Sequence, residues 1–348
     1  MSTRCLKENR RRSKPKWPRA EGRRRRPRQN PFSFVFQGKH LMQSPCEDRS
    51  TISIMAADGV RLALHCLPAD SANTPIAEVV LTHGTFSNAN TCFGLAGYLA
   101  SIGFRCWVLD WRGHGESGAA PRQTTFDSVA RLDVHAALQA VLERAGPGPV
   151  FWIGHSGGGL IGAMWAARNA DLAHSRLRGF IMLGVQASLA GARLRNRLMI
   201  QFIDLLMSVT RSAPGHYFGM GPEPENPHLM HQWCRWNIEG RFSGEDEFDY
   251  TAALRNLRIP VLALSGAGDT FIAPSEGCRQ LAYAFSGPDI TFHLCGIATG
   301  FSENYKHDRL ILSKPASREI WPMLADWMNK RLQPVQVQSG KRRQTKAQ

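Results

Sequence analysis

A glycine-rich segment, Gly-His-Ser-Gly-Gly at residues 154–158, stands between two segments of different periodicity. The apolar run Val150–Ile153 directly precedes it and predicts a buried strand, and Leu160–Ala167 predicts a buried helix. A serine at such a junction sits on a sharp turn that lifts its hydroxyl clear of the sheet. The glycines on either side allow the strand and the helix to pass close together. The segment therefore predicts a layered α/β structure with Ser156 at the carboxyl edge of a sheet.

From about Ser50 to Leu332 the chain alternates short apolar runs with helical patterns. Thr51–Met55 and Val60–Leu67 predict a hairpin around a glycine-containing turn. Short runs without polar alternation are typical of strands buried on both faces, and interleaved helices favour parallel pairing. The further runs are Ile76–Leu81, Phe104–Leu109, Phe180–Val185, Pro260–Leu264 and Ile290–Leu294, and the helical patterns are Thr91–Ser101, Phe126–Ala145 and Ile320–Leu332. We expect a mostly parallel sheet with helices on both faces and an antiparallel hairpin at its start.

One long insertion, about residues 187–257, interrupts this alternation and carries no strand signal. Because the alternation resumes afterwards, we expect the insertion to form a helical cap on the sheet rather than a separate domain. The nearly apolar stretch Leu198–Val209 either lines a pocket, touches a membrane surface or packs on the domain core. His228 and His231 have no third ligand at a suitable spacing, so we expect no metal site there.

The positive charge of the chain is confined to its ends. The 348 residues carry a formal net charge of +15. The first 30 residues contribute +11 and the last eight contribute +4, so the stretch between them is neutral. We expect a basic disordered extension at 1–49, a folded domain at 50–332 and a basic tail at 333–348. We expect any nucleic-acid binding to occur only through the N-terminal extension. An upstream start codon chosen in error would also account for the presence of this extension.

Eight cysteines are scattered without Cys-x-x-Cys spacing, and several lie inside apolar runs. This usage indicates free, buried thiols and a reducing compartment. The sequence contains no apolar stretch of the length needed to span a membrane. Only a brief apolar patch, Pro31–Phe36, follows the basic N-terminus, and it is too short for the apolar region of a signal peptide. We therefore expect a cytoplasmic protein without transmembrane segments; the sequence leaves its oligomeric state open.

A second loop, His83-Gly84-Thr85-Phe86, follows the run Ile76–Leu81 and so lies at the same edge as Ser156. A serine nucleophile needs N–H donors for the oxyanion that forms on attack. The backbone N–H groups of Thr85 and of Gly157, at the start of a helix, are the natural pair. The side chain of His83 is expected to brace this loop.

With these pieces in place, the sequence resembles the α/β-hydrolase superfamily, in particular its lysophospholipase-like and esterase–lipase members and an uncharacterised bacterial branch. The resemblance runs from about Thr51 to Leu332. It rests on four stretches: Leu81–Gly84, Leu109–Ser117, Gly154–Gly158 and Gly266–Pro274. In the family the second of these is a structural loop. The resemblance thus implies that Asp110, Arg112 and His114 belong to the scaffold.

The family order of serine, acid and histidine implies the remaining catalytic residues. Asp269 lies just beyond the run Val261–Leu264, where the family's acid lies, with Asp308 and Glu276 as weaker rivals. Two histidines compete for the role of base. His293 lies inside a strand, whereas His307 lies in a loop before the last helix at the family's spacing, and His307 is favoured. Many members have glycine before this histidine, and here Lys306 stands there.

We therefore expect a serine hydrolase that cleaves a carboxylic ester through Ser156, Asp269 and His307, with no cofactor. Phe86, His155, Trp233 and Trp236 are expected to contact a small ester or lipid-like substrate. Acyl transfer, thioester hydrolysis and peptide cleavage on the same scaffold stay open. A further alternative that stays open is a non-catalytic binding protein whose basic N-terminal extension binds nucleic acid.

Overall fold

A computed structural model describes residues 49–70, 74–210, 212–215 and 221–333. The predicted basic extensions, 1–49 and 333–348, lie almost wholly outside these ranges. The strands are β1 (Ser50–Met55), β2 (Arg61–Leu67), β3 (Glu78–Thr82), β4 (Arg105–Asp110), β5 (Val150–His155), β6 (Leu177–Leu183), β7 (Ala213–Pro214), β8 (Pro224–Glu225), β9 (Val261–Gly266) and β10 (Ile290–Cys295).

Eight of these strands form one sheet in the order β1-β2-β4-β3-β5-β6-β9-β10. β1 pairs antiparallel with β2, and β2 pairs antiparallel with β4, while every later pairing is parallel. Strands β3, β5 and β9 are buried along their whole length, which explains their mainly apolar composition. The predicted mostly parallel sheet with an antiparallel hairpin at its start is confirmed.

Helices cover both faces of the sheet. They are α1 (Asn90–Ser101), α2 (Phe126–Ser128), α3 (His135–Ala145), α4 (Gly157–Arg168), α5 (Ala170–Arg176), α6 (Leu194–Val209), α7 (Pro227–Glu239), α8 (Tyr250–Leu254), α9 (Ser275–Ala282), α10 (Arg309–Leu312) and α11 (Lys314–Leu332). A π-helical segment, Val129–Val134, joins α2 to α3, so the helix predicted over 126–145 is continuous. One core lies between the sheet and helices α3 and α4, and the other lies under α1 and α11.

The cap leaves the sheet after β6 and returns at β9. Helices α6, α7 and α8 make up most of it, as the sequence pattern predicts. The insertion also contains two short strands, β7 and β8, which pair antiparallel. Two-residue strands that contain proline are too short to produce an alternating pattern, so the sequence gives no signal for them.

A buried carboxylate ties this cap to the body. Asp127, between the sheet core and the cap, accepts hydrogen bonds from the Tyr250 hydroxyl at 2.5 Å and the Gln232 amide at 2.5 Å. Arg168 from α4 also pairs with Asp127 at 3.2 Å. The same Gln232 accepts the N–H of Phe126 through its side-chain oxygen at 2.7 Å. These contacts fix the cap over the carboxyl ends of the strands.

A helix that combines the length and the continuous apolarity needed to cross a membrane is not found among the described residues.

Candidate active site

Ser156 occupies the turn between β5 and α4 with φ 52°, a conformation that residues with a side chain rarely adopt. Its backbone N–H donates to the carbonyl of Leu183 at 2.9 Å, which anchors the turn to β6. A Cβ at Gly154 would collide with the backbone of Gly159, and one at Gly158 would collide with the carbonyl of His83. The small residues around the serine are therefore required by the close approach of strand, helix and loop.

Asp269 and His307 meet beside this turn. Asp269 follows β9 and His307 follows β10, and the Nδ1–H of His307 donates to Oδ2 of Asp269 at 2.6 Å. The backbone N–H groups of Ile272 and Ala273 donate to the two carboxylate oxygens, each at 3.0 Å. Burial alone would raise the pKa of Asp269, but His307 and these N–H groups hold it below its ordinary value. Asp269 is therefore an ionised acceptor that fixes the orientation of the His307 ring.

The loop that carries His307 is bound to the loop that carries Asp269. The N–H of Gly268 donates to the carbonyl of Tyr305 at 2.8 Å, and Tyr305 is fully buried. Lys306, which stands where many family members have glycine, is exposed to solvent. Glu276 and Asp308, the rival acids, make no hydrogen bond to His307 within the described ranges.

His155 supports His307 from the other side. Its Nε2–H donates to the backbone carbonyl of His307 at 3.0 Å, and the two rings lie 4.9 Å apart. Burial, reinforced by the nearby charge of His307, lowers the pKa of His155 to about 3. His155 is therefore a neutral donor that helps to hold the His307 loop in place, and it also lines the cavity.

Two free backbone donors flank Ser156. The N–H groups of Thr85 and Gly157 have no acceptor among the residues that the structure describes, and both residues line the same cavity as Ser156. The His83 ring donates from Nδ1 to the carbonyl of Gly84 at 2.8 Å, and burial lowers the pKa of His83 to about 4. This side chain braces the loop, in agreement with the expectation from the sequence.

Ser156 and His307 lie on the wall of one cavity of about 210 Å³. In the described part of the chain the Ser156 hydroxyl has no hydrogen-bond partner, so it is available to a ligand. The rest of the wall is predominantly apolar and comes from the body and from cap helices α6 and α7. Its main apolar side chains are Phe86, Phe126, Leu160, Phe202, Ile203, Leu206, Met207, Met230, Trp233, Phe271, Ile272 and Leu312.

Of the two predicted cap tryptophans, only one reaches the cavity. Trp233 lines it and is half-buried. Trp236 is fully buried, donates from Nε1 to the carbonyl of Ser243 at 2.7 Å and packs on Phe126 and Phe242. The expectation that Trp236 contacts substrate is wrong, because this side chain is fully buried against Phe126 and Phe242 and does not reach the cavity.

Helix α6 divides its apolar residues between two faces. Ile203, Leu206 and Met207 line the cavity, and Ile200 and Met207 are buried. Side chains on the other side are exposed, and these are Leu194, Leu198, Leu205 and Val209. Phe202 is also exposed but lies at the cavity wall. The stretch 198–209, for which the sequence left three roles open, therefore both lines the pocket and presents an apolar outer face.

The residues of the 109–117 loop lie in a buried polar network outside the cavity. Asp110 accepts from His65 at 3.1 Å and from the N–H of Ala89 at 2.7 Å. Arg112 pairs with Asp58 and Asp133, each at 2.6 Å. None of these groups lines the described cavity.

Histidines outside the site have other surroundings. His293 lies within strand β10, as the sequence predicts, and β10 is one of the two edge strands of the eight-stranded sheet. The sequence argument found no carboxylate near His231, yet Asp204 of α6 accepts a hydrogen bond from its Nδ1 at 2.6 Å. No group of three or more potential metal ligands occurs within the described ranges.

Sequence reasoning missed one polar residue beside the site. Glu225 reaches from the cap to the Thr85–Phe86 loop and to His114. It lies between two prolines, Pro224 and Pro227, in a segment without periodicity, and no local signal marks it.

Comparison with known proteins is consistent with this architecture. A family profile described as alpha/beta hydrolase fold matches residues 78–203. Lipase member K of Mus musculus is 28% identical over 159 residues, which cover 40% of this chain and 40% of that protein. Human lysosomal acid lipase/cholesteryl ester hydrolase is 29% identical over 154 residues, 38% of each chain. The match thus spans less than half the length of these relatives.

Solved structures match over a longer part of the chain. A soluble variant of monoglyceride lipase from Saccharomyces cerevisiae, in complex with a substrate analogue, has a TM-score of 0.63 at 19% identity. That match covers 81% of this chain and 95% of the yeast chain. A carboxyl esterase from Bacillus coagulans has a TM-score of 0.60 at 14% identity and covers 82% and 99%. Together, the architecture, the matched profile and these neighbours show that the chain has the α/β-hydrolase fold.

Proposed function

We propose that this protein is a serine hydrolase that cleaves a carboxylic ester with an apolar acyl or alcohol group. The observation that carries the proposal is the 2.6 Å hydrogen bond between His307 and Asp269, formed beside the positive-φ Ser156 on one apolar cavity. A hydroxyl, a histidine and a carboxylate in this order are the parts that acyl transfer through a covalent intermediate requires. The lipase and esterase names of the relatives point to the same chemistry.

The proposed reaction has two halves. Ser156 gives its proton to Nε2 of His307 and attacks the ester carbonyl, while Asp269 stabilises the imidazolium. The N–H groups of Thr85 and Gly157 bind the oxyanion, and His307 then protonates the departing alcohol. A water molecule, deprotonated by His307, attacks the acyl-enzyme in the same way. The products are a carboxylic acid, an alcohol and the free Ser156 hydroxyl.

The cavity favours an apolar substrate. Apart from Thr85, Ser87, Thr91, His155, Gln186 and Asp308, the lining that the described residues contribute beyond the catalytic groups is apolar or glycine. An alkyl chain gains roughly 0.8 kcal/mol for each methylene that it buries there, whereas a charged group would lose its hydration. We therefore infer that the bound acyl or alcohol part is uncharged, and that a peptide with charged side chains is a poor substrate.

A panel of p-nitrophenyl esters with acyl chains of increasing length tests the proposal. We expect kcat/KM to rise with chain length until the cavity is full and then to fall. Matched thioesters and anilides of the best acyl group separate ester cleavage from thioester and amide cleavage, and an added alcohol acceptor detects acyl transfer. Absence of turnover on every ester, with a folded protein, would contradict the proposal.

A further inference from the structure

A buried carboxylate of the cap contacts the loop that carries one of the proposed oxyanion donors. Glu225 is 2% exposed. Its Oε2 accepts the backbone N–H of Phe86 at 3.1 Å, and its Oε1 accepts the N–H of Asn226 at 2.8 Å. The Nε2–H of His114 donates to the same Oε2 at 3.2 Å. One side chain thus joins the cap, the Thr85–Phe86 loop and the 109–117 loop.

Phe86 needs such support because of its backbone. Its φ of 61° is unfavourable for a residue with a Cβ, so the surrounding structure must impose it. The cap segment binds Phe86 on both sides: Glu225 accepts its N–H, and the N–H of Glu223 donates to its carbonyl at 3.1 Å. Gly221 lies so close to that carbonyl that a Cβ there would collide with it. The cap therefore holds Phe86 in its positive-φ conformation.

The charge on Glu225 is balanced within the same cluster. Burial would raise the pKa of Glu225, but the adjacent His114 lowers it; likewise burial opposes protonation of His114, yet Glu225 raises the pKa of His114. A buried carboxylate without a partner would be strongly destabilising, so His114 makes this acceptor possible. Neither residue lines the cavity, and neither can touch a substrate bound there.

We propose that Glu225 is a positioning residue that holds the Thr85–Phe86 loop in the conformation in which the Thr85 N–H is aimed at the oxyanion. The peptide group between Thr85 and Phe86 is rigid, so fixing the N–H of Phe86 also fixes the carbonyl of Thr85. Only the two backbone dihedrals of Thr85 then separate this anchored unit from the neighbouring peptide group, which carries the Thr85 N–H. The inference rests on the proposed function. It makes the oxyanion site dependent on the cap, since the cap supplies both Glu225 and the Glu223 contact.

Three substitutions at one position test the role. Glu225→Ala removes the acceptor, Glu225→Asp keeps the charge beside His114 but is one methylene too short for the N–H of Phe86, and Glu225→Gln restores an acceptor without charge. Tyr250→Phe is the matched control, because it removes a buried cap-to-body hydrogen bond to Asp127 away from the loop. Each full-length variant is measured for melting temperature, kcat and KM on the best p-nitrophenyl ester, and inhibition by a trifluoromethyl alkyl ketone.

We expect Glu225→Ala and Glu225→Asp to lower kcat by about 10- to 100-fold with little change in KM, because the loss of a positioned oxyanion donor costs on that order. Binding of the trifluoromethyl ketone, which forms an oxyanion with the serine, should weaken by a similar factor. Glu225→Gln should regain most of kcat. Tyr250→Phe should lower the melting temperature while leaving kcat and ketone binding within about twofold of the parent.

Hydrogen exchange of the peptide that contains residues 84–88 gives a readout independent of turnover. Faster exchange of this peptide in Glu225→Ala, or in Glu225→Asp if the alanine variant does not fold, supports the inference. This holds even when the parent cleaves no ester, because absence of ester cleavage contradicts only the proposed function. A folded Glu225→Ala or Glu225→Asp protein with parental kcat, ketone binding and exchange would overturn the positioning role. So would equal losses in Tyr250→Phe.

Discussion

At the scale of single residues, the proposed site depends on three residues that are held in position before a substrate arrives. Asp269 has three hydrogen-bond donors, His307 has Asp269 on one side and His155 behind it, and Ser156 is held by its own turn. Such preorganisation lets a side chain act without rearranging during the reaction. We therefore expect substitution of any of these three residues to lower turnover more than substitution of the residues beside it.

The choice of base can be tested by two alanine substitutions. His307→Ala should reduce kcat by several orders of magnitude, because the members of such a set act as a unit. His293→Ala should leave kcat close to the parent and change the free energy of unfolding by only about 0.5–1 kcal/mol, since His293 is half-buried on the edge strand. Ester turnover and thermal melts of both variants give the answer. The reverse ranking would mean that His293 is the base.

At the scale of elements, two tryptophans within one turn of helix α7 have different roles: one lines the cavity and the other packs in the core of the cap. Trp233 lines the cavity, whereas Trp236 fills the cap core against Phe126. Helix α6 likewise has different roles on its inner and outer faces. On α6 the period of 3.6 residues places apolar residues on different faces. The two tryptophans of α7 are three residues apart and share a side of the helix, so their roles differ because of what each side chain packs against.

The two tryptophans of α7 should respond differently to truncation. Trp233→Ala should raise KM for long-chain esters and change the free energy of unfolding little, because the truncation removes part of the cavity wall and so enlarges the cavity. Trp236→Ala should lower the free energy of unfolding by about 3–5 kcal/mol through the void that it leaves in the core. Chain-length profiles and chemical denaturation measure the two effects. A Trp236→Ala protein of parental stability with altered chain-length preference would contradict this assignment.

The contact between the cap and the 109–117 loop should depend on pH. His114 has a raised pKa, so its contribution to stability is fully present below the ordinary value of 6.5 and is lost as pH rises through the raised value. Glu225 has a lowered pKa, so its contribution is lost as pH falls below about 4.5 toward the lowered value. His83 and Glu223 also face His114, so they influence the pH range over which this contact contributes to stability.

The stability difference between the parent and His114→Gln should therefore be largest between about pH 5 and 6.5 and shrink on both sides. Urea denaturation across pH 4–9 measures this difference. A constant difference over the whole range would show that the ion pair does not contribute through its charge.

At the scale of the whole molecule, the sequence predicted the sheet, its hairpin, the cap and the turn at Ser156, because buried strands and glycine-rich turns leave local signals. It missed features that depend on distant segments. The Glu225–Phe86 contact joins residues 139 apart. The burial of Trp236 depends on how α7 docks on the body, and the edge position of β10 depends on the order in which strands pair. None of these has a signature within a short window.

The basic N-terminal residues should be dispensable for chemistry on soluble esters. All of the proposed catalytic and oxyanion groups lie between Thr85 and His307, and the first 30 residues are strongly charged. Deletion of residues 1–41 should change kcat/KM by less than about threefold. The comparison uses a soluble p-nitrophenyl ester with both proteins at equal folded concentration. A folded truncation without activity would show that this segment belongs to the site.

The most direct measurement of the central claim is mass spectrometry of the protein quenched during turnover of a p-nitrophenyl ester, with Ser156→Ala as the partner variant. We predict an acyl adduct on the peptide that contains Ser156 in the parent. We predict no adduct in the folded Ser156→Ala protein, with turnover lower by several orders of magnitude. An adduct on another residue, or parental turnover in a clean Ser156→Ala preparation, would contradict the assignment of Ser156 as the nucleophile.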